Sequence, residues 1–160
     1  MTLLAVAGLS KEYRVPSGPF THERLRAVDG VSLALRAGET VGVVGESGSG
    51  KSSLARCILQ LERPSGGTVT FEGRELTALD GRALRGIRRF AQLVFQDPAA
   101  SLNPRLTVGY TVAEPLRLHG LRRGGAAIRA RVEELFGWVG LGPEHRGRYP
   151  HQLSGGQQQR

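Results

Sequence analysis

The chain has 160 residues, of which 39% are hydrophobic; this is enough for one ordinary domain with its own core. Its net charge is +8, but the cations are arginines in short groups and only 6% of residues are aromatic, which favours a solvated surface over a nucleic-acid interface. No apolar run approaches the roughly 20 residues of a membrane-spanning helix, and the first residues lack the features of a secretory signal, so we expect a cytosolic protein that partners dock on a membrane. The single cysteine, Cys57, excludes an intrachain disulfide and a CxxC metal site, and its apolar neighbours predict a core position.

The first half of the chain predicts strands, a loop and a helix. The apolar residues near the N-terminus indicate a first strand, and the alternating segment Val31–Leu35 predicts a half-buried strand. Thr40–Val44 is apolar or β-branched on nearly every residue, which is typical of a strand covered on both faces. A glycine-rich loop follows, and Lys51–Leu61 has the apolar period of a helix. This order predicts the first unit of an α/β sheet.

The second half becomes helical. Thr68–Gly73 alternates like a strand, and the short apolar segment Phe90–Gln96 predicts a buried strand. From Thr107 onward the pattern is helical. One apolar stripe consists of Ile128, Val132, Leu135, Phe136 and Val139. We therefore expect an α/β core over residues 1–96 and a largely helical region over residues 97–152.

One glycine-rich loop carries a phosphate-binding motif. The pattern G-x-x-x-x-G-K-[ST] is matched by Gly45, Glu46, Ser47, Gly48, Ser49, Gly50, Lys51 and Ser52. Glycines let the backbone point several N–H groups at phosphate oxygens, and the helix beginning at Lys51 adds its positive dipole end. Lys51 supplies a charge for the β- and γ-phosphates, and the Ser52 hydroxyl is a ligand for Mg²⁺. The order of the glycines does not support a dinucleotide-binding fold.

A second glycine motif lies near the end of the chain, at Leu153-Ser154-Gly155-Gly156-Gln157. Its residue types predict a helix N-terminus in which Ser154 is the N-cap and the two glycines leave bare N–H groups. Such a site attracts an anion but lacks the lysine and the metal ligand that are needed to hold a nucleotide alone.

Taken together, these motifs resemble the ATP-binding cassette (ABC) family, in which a P-loop is followed by a strand-ending glutamine and then by the LSGGQ signature. The resemblance covers essentially all 160 residues. It implies an α/β P-loop NTPase core with an N-terminal antiparallel β region and a helical subdomain. Residues 1–96 would form the nucleotide-binding core, residues 97–152 the Q-loop and helical subdomain, and residues 153–160 the signature at the start of a helix.

The resemblance also implies roles for individual residues. Residues from Gly45 to Ser53 would bind ATP in cis, and Lys51 would take part in catalysis. The partner's γ-phosphate would be clamped in trans by Ser154, Gly155, Gly156 and Gln157. Gln96 would be the Q-loop glutamine, which contacts Mg²⁺ or the attacking water; the alternative is a polar residue at the end of a strand. Tyr13 would stack on adenine; the alternative is an ordinary tyrosine of an edge strand.

Two further segments, Phe95–Arg105 and Tyr149–Ser154, resemble the dipeptide/oligopeptide/nickel importer branch. This implies ATP and Mg²⁺ as cofactors, and permease subunits and a second ATP-binding subunit, identical or different, as direct partners. An extracytoplasmic solute-binding protein would be an indirect partner, and nucleic acid would not be a partner. The subunit would lie on the cytoplasmic side of the membrane. The alternatives are a soluble ABC-type ATPase acting on DNA or the ribosome and a non-catalytic nucleotide-binding fragment.

The hydrolytic parts of the family follow the signature: an apolar strand ending in Asp-Glu, known as Walker B, and a switch histidine. Neither motif is in this sequence. The four histidines precede the signature and are expected in surface roles (His22, His119, His145 and His151). We therefore expect a truncated chain with an incomplete sheet, exposed apolar surface and little ATP hydrolysis by itself.

Overall fold

The chain divides into two compact units, Met1–Gln92 and Leu93–Arg160. The structure, a computed structural model, describes residues 2–97 and 101–160. Within these residues, none of the helices has both the length and the apolar character needed to cross a bilayer. Pro98, Ala99 and Ala100, which belong to the segment Phe95–Arg105, lie outside the described residues.

The first unit is built on a four-stranded antiparallel sheet in the order β2-β1-β3-β4. Its strands are β1 (Thr2–Pro16), β2 (His22–Arg36), β3 (Gly66–Phe71) and β4 (Arg74–Glu75). In the long hairpin of β1 and β2, Val6 lies opposite Leu33 and Tyr13 lies opposite Leu25. The predicted strand at Val31–Leu35 lies within β2 and alternates between half-buried and exposed residues, as its sequence pattern requires. That prediction is confirmed.

Two helices complete the first unit: α1 (Lys51–Ile58) and α2 (Gly81–Ile87). Asp80 caps α2, because its carboxylate oxygen accepts a hydrogen bond from the N–H of Ala83 at 2.7 Å. The buried core of the unit consists of Val6, Leu9, Val28, Leu54, Cys57, Val69, Leu76 and Leu84. Cys57 has no solvent exposure, so its predicted core position is confirmed, and this burial raises the pKa of the thiol.

The chain reverses direction directly after α1. The sequence predicts a helix as far as Leu61, but α1 ends at Ile58 because Gln60 adopts a left-handed conformation with φ +52°. The N–H groups of Leu61 and Glu62 donate to the carbonyl oxygen of Arg56 at 2.9 and 3.3 Å, which closes the turn. The buried side chain of Gln60 donates to the carbonyl oxygen of Cys57 at 2.7 Å. These bonds offset the cost of a non-glycine residue at positive φ.

The second unit is helical: α3 (Val108–Leu118), α4 (Gly125–Trp138), two 3₁₀ helices (Pro143–Gly147 and Pro150–Gln152) and α5 (Gly155–Gln159). Its buried core consists of Val108, Ala113, Leu116, Val132, Phe136, Leu141 and Leu153. The predicted apolar stripe of α4 is confirmed at Val132 and Phe136, which are buried, and at Ile128, which packs against them. Val139 follows the helix and is 38% exposed, so its predicted place in the stripe is wrong.

Two predicted strands are absent from the structure. Neither Thr40–Val44 nor Phe90–Gln96 forms a strand, and among the described residues no strand pairs with either segment. A strand without a hydrogen-bonding neighbour has no ladder to hold its backbone. Apolar side chains in these segments are therefore exposed, by 92% at Val44 and 89% at Val94. The structure is α/β with an incomplete sheet, and the expected exposure of apolar surface is confirmed.

Candidate nucleotide site

The helix α1 begins with an uncapped row of N–H donors. Gly50 is its N-cap, with φ +90°, and has no side chain that could satisfy them. The first bond of the helix runs from the N–H of Leu54 to the carbonyl oxygen of Gly50 at 2.8 Å. The N–H groups of Gly50, Lys51, Ser52 and Ser53 therefore precede the helical hydrogen-bond pattern. Together with the helix dipole, they make this terminus suitable for an anion.

The Lys51 ammonium group lies within the loop. It donates to the carbonyl oxygens of Gly45 and Glu46 at 2.8 and 2.6 Å and to the Ser49 hydroxyl at 3.2 Å. A turn, in which the N–H of Ser49 donates to the Glu46 carbonyl at 3.2 Å, holds the loop in this curved form. The positive charge is thus held beside the donors at the start of α1. This combination of a cation and converging N–H groups fits a polyphosphate.

A close approach between backbones fixes the end of the loop. A Cβ atom at Gly50 would lie 2.0 Å from the carbonyl oxygen of Ala27, well inside van der Waals contact. Gly50 also has a φ of +90°, which L-residues rarely adopt. The last glycine of the motif is therefore needed for two independent reasons, one steric and one conformational.

The hydroxyl group of Tyr13 contacts Ser53, in the first turn of α1, and Glu62. It lies 3.2 Å from the Ser53 hydroxyl and 2.5 Å from a carboxylate oxygen of Glu62. The Lys11 ammonium lies 5.0 Å from the centre of the ring, as a cation on its face. The hydrogen bond to Glu62 raises the pKa of Tyr13, and the bond with Ser53 opposes that effect. The structure thus places Tyr13 beside Ser53, one of the predicted phosphate-binding residues.

The remaining predicted site residues lie in the second unit. Gln96 is exposed at a bend. Ser154 caps α5 as predicted, because its hydroxyl accepts from the N–H of Gln157 at 3.3 Å. In return, the amide oxygen of Gln157 accepts from the N–H of Ser154 at 3.0 Å, which completes a capping box. The roles of these residues toward a nucleotide stay predictions.

A histidine contacts the signature, and no sequence pattern pointed to this contact. His145 was expected on the surface, but it is 9% exposed, so that expectation is wrong. Its Nε2 atom lies 3.2 Å from the amide nitrogen of Gln157. The Nδ1 atom of the same ring lies 3.1 Å from both the N–H and the carbonyl oxygen of Gly142, and 3.1 Å from a carboxylate oxygen of Glu144.

Comparison with known proteins decides the family. A sequence profile described as "ABC transporter" matches residues 28–160, which include both glycine motifs. The chain belongs to the ABC transporter family. Its resemblance to that family, seen first in the P-loop and the signature, is thereby confirmed.

Two relatives of this ABC transporter chain are similar to it over nearly its whole length. It is 48% identical over 160 residues to the glutathione import ATP-binding protein GsiA of Salmonella paratyphi A, covering 99% of this chain and 26% of that protein. It is 45% identical over 161 residues to the di/tripeptide transport ATP-binding protein DppF of Pseudomonas aeruginosa, covering 99% of this chain and 49% of that protein. The chain thus spans between a quarter and a half of these relatives. Both names describe ATP-binding proteins of import or transport systems.

A solved structure supports the fold of this ABC transporter chain. The post-hydrolysis dimer of the ATP-binding cassette MJ0796, bound to ADP and Pi, superposes with a TM-score of 0.80 at 32% identity. The superposition covers 97% of this chain and 65% of that one. The predicted ABC-type α/β fold is confirmed, and nucleotide binding is the common property of the family.

Proposed function

We propose that residues 45–53 bind ATP with Mg²⁺ and that the protein energises the import of peptides or related small solutes by hydrolysing ATP. The observation that carries this proposal is the Lys51 ammonium, held inside the loop by the carbonyl oxygens of Gly45 and Glu46. Those carbonyls are weaker partners for a cation than phosphate oxygens are, because a phosphate carries full negative charge. A polyphosphate in the loop would therefore replace them.

Each part of the loop has a distinct task in this proposal. The N–H groups at the start of α1 orient the phosphate oxygens, and Lys51 balances negative charge at the β- and γ-phosphates. At about 4 Å and an effective dielectric constant of about 20, one such charge pair contributes about 4 kcal/mol before desolvation. The exposed Ser52 hydroxyl would hold Mg²⁺, which when bound neutralises charge on the transferred phosphoryl group. Gln96 would orient the attacking water or contact Mg²⁺.

The second unit contributes to a different nucleotide in this proposal. Two ATP-binding subunits pack head to tail, so that the signature residues of one face the nucleotide held by the other. The capping box of Ser154 and Gln157 supports this role, because it fixes both side chains at the start of α5. The likeness to a dimeric cassette bound to ADP and Pi supports the same arrangement. The two ATP-binding subunits are the same or different chains.

The membrane partners follow from the importer relatives. Permease subunits would carry the solute across the membrane, and an extracytoplasmic solute-binding protein would deliver it to them. The names of GsiA and DppF, which refer to glutathione and to di- and tripeptides, support a small peptide as the cargo. The chain would act at the cytoplasmic face of the membrane, as a peripheral subunit.

Removal of one ammonium group tests the site. Lys51→Ala is expected to weaken the binding of ATP with Mg²⁺ by about 100-fold in isothermal titration calorimetry, because two charge-assisted hydrogen bonds of about 1.5 kcal/mol each are lost. The matched control is Arg85→Ala, which removes an exposed cation from α2 and should leave the affinity unchanged. Equal affinities of the parent protein and Lys51→Ala would refute the site.

A further inference from the structure

The hydroxyl groups of Tyr13 and Ser53 form a directed hydrogen-bond chain with Glu62. A carboxylate only accepts hydrogen bonds, and a tyrosine hydroxyl has one proton to give. Tyr13 therefore donates to the Oε2 atom of Glu62 at 2.5 Å, and Ser53 donates to the oxygen of Tyr13 at 3.2 Å. The raised pKa of Tyr13 has the same cause, since the bond to Glu62 favours the neutral phenol. The tyrosine ring is thereby linked to the first turn of α1.

The position of Glu62 is fixed from several sides. The left-handed turn at Gln60 brings the chain back after α1, and the N–H of Glu62 bonds to the carbonyl oxygen of Arg56. Its carboxylate lies 3.5 Å from the guanidinium of Arg56 and 4.0 Å from the ammonium of Lys11. The side chain of Glu62 is 28% exposed. The acceptor for the Tyr13 hydroxyl is thus held independently of Tyr13.

A ring that is held at its hydroxyl group loses less freedom when a base stacks on it. An unrestrained side chain must be ordered on binding, and that cost lowers affinity. We propose that Glu62 is a positioning residue for base recognition: it holds the Tyr13 ring beside the phosphate-binding turn, ready to stack on the purine of a nucleotide. This inference rests on the proposed function and adds to it a residue that touches neither phosphate nor metal.

The test separates the base from the phosphates. The purified protein is titrated, in the presence of Mg²⁺, with ATP and with inorganic tripolyphosphate, which has no base. Stacking of a base on an aromatic ring contributes enough for about a 5- to 100-fold change in affinity. Glu62→Ala is therefore expected to weaken ATP binding by about 3- to 10-fold, a part of that range, and to leave tripolyphosphate binding unchanged.

Three further single variants and one double variant control for folding and for charge. Glu62→Gln keeps an acceptor for the Tyr13 hydroxyl and should retain most of the affinity for ATP. Tyr13→Phe keeps the ring but removes its hydroxyl, so adding Glu62→Ala to it should cause no further loss. The matched control is Glu12→Ala: Glu12 is also 28% exposed and is also paired with two cations, Arg24 and Arg26. It should bind both ligands like the parent protein.

The outcomes distinguish this inference from the proposed function. Equal weakening of both ligands by Glu62→Ala, or additive losses in the double variant with Tyr13→Phe, would overturn the positioning role while the phosphate site stands. If Glu62→Ala does not fold, undiminished ATP affinity in Tyr13→Phe would overturn it equally. A parent protein that binds neither ATP nor tripolyphosphate would overturn the proposed function and this inference together.

Discussion

Gly50→Ala is the most direct steric test of the loop. The added Cβ would meet the Ala27 carbonyl oxygen at 2.0 Å and its carbon at 3.1 Å. Both atoms are backbone, so the substitution forces β2 and the start of α1 apart. A non-glycine residue in the left-handed region costs about 1–2 kcal/mol, and overpacking adds about 1–3 kcal/mol. The free energy of unfolding should therefore fall by about 2–5 kcal/mol, out of about 5–15 kcal/mol for an ordinary domain.

A control separates the two contributions to that loss. Gly38 has a similar φ of +77°, but a Cβ there meets no atom within 4 Å. Gly38→Ala should therefore cost only the conformational part, about 1–2 kcal/mol. Both variants can be compared with the parent protein by urea unfolding monitored by far-ultraviolet circular dichroism. The comparison of unfolding midpoints requires that the m-values of the three proteins agree. If Gly50→Ala costs no more than Gly38→Ala, the loop does not approach β2 as closely as described.

Two further changes test contacts of the site residues. The pKa of Tyr13 is raised above 10.0 in the folded protein, so its contribution to stability is complete below pH 10 and is lost as the pH rises through the folded pKa. Tyr13→Phe should flatten the alkaline decline of the urea midpoint, and an unchanged decline would contradict the bond to Glu62. The pKa of Cys57 is also raised, but this contribution is common to both proteins. Ser154→Ala removes the cap of α5 and should lower the free energy of unfolding by about 0.5–1 kcal/mol. Unfolding can be followed by Trp138 fluorescence, and an unchanged free energy of unfolding would contradict the role of the cap.

The local elements that the sequence predicted correctly are those whose partners are close in the chain. The start of α1 at Lys51, the cap at Ser154 and the alternation of β2 depend on neighbouring residues or on one hairpin. The predictions failed at Thr40–Val44 and Phe90–Gln96. Composition shows that these segments could be buried, but burial in a sheet needs strands beside them, and among the described residues none pairs with either.

Two contacts of the site could not be predicted from the sequence, for a different reason. Glu62 reaches Tyr13 over 49 residues, through a turn at Gln60 that has no glycine to mark it. His145 contacts Gln157 from a 3₁₀ helix. The residues around His145 in the sequence resemble those around a surface histidine. Periodicity detects a buried face, but it does not detect a single polar contact made by an irregular segment. The motif letters identified the phosphate loop; the structure was needed to find what supports it.

The central claim is that the backbone N–H groups at the start of α1 and the Lys51 ammonium bind a polyphosphate. The most direct measurement follows backbone amide shifts by NMR while ATP and Mg²⁺ are added to the protein. We predict the largest shifts at the amides of Gly48, Gly50, Lys51, Ser52 and Ser53, and their loss in Lys51→Ala. Saturable binding that leaves these amides unshifted would contradict the account.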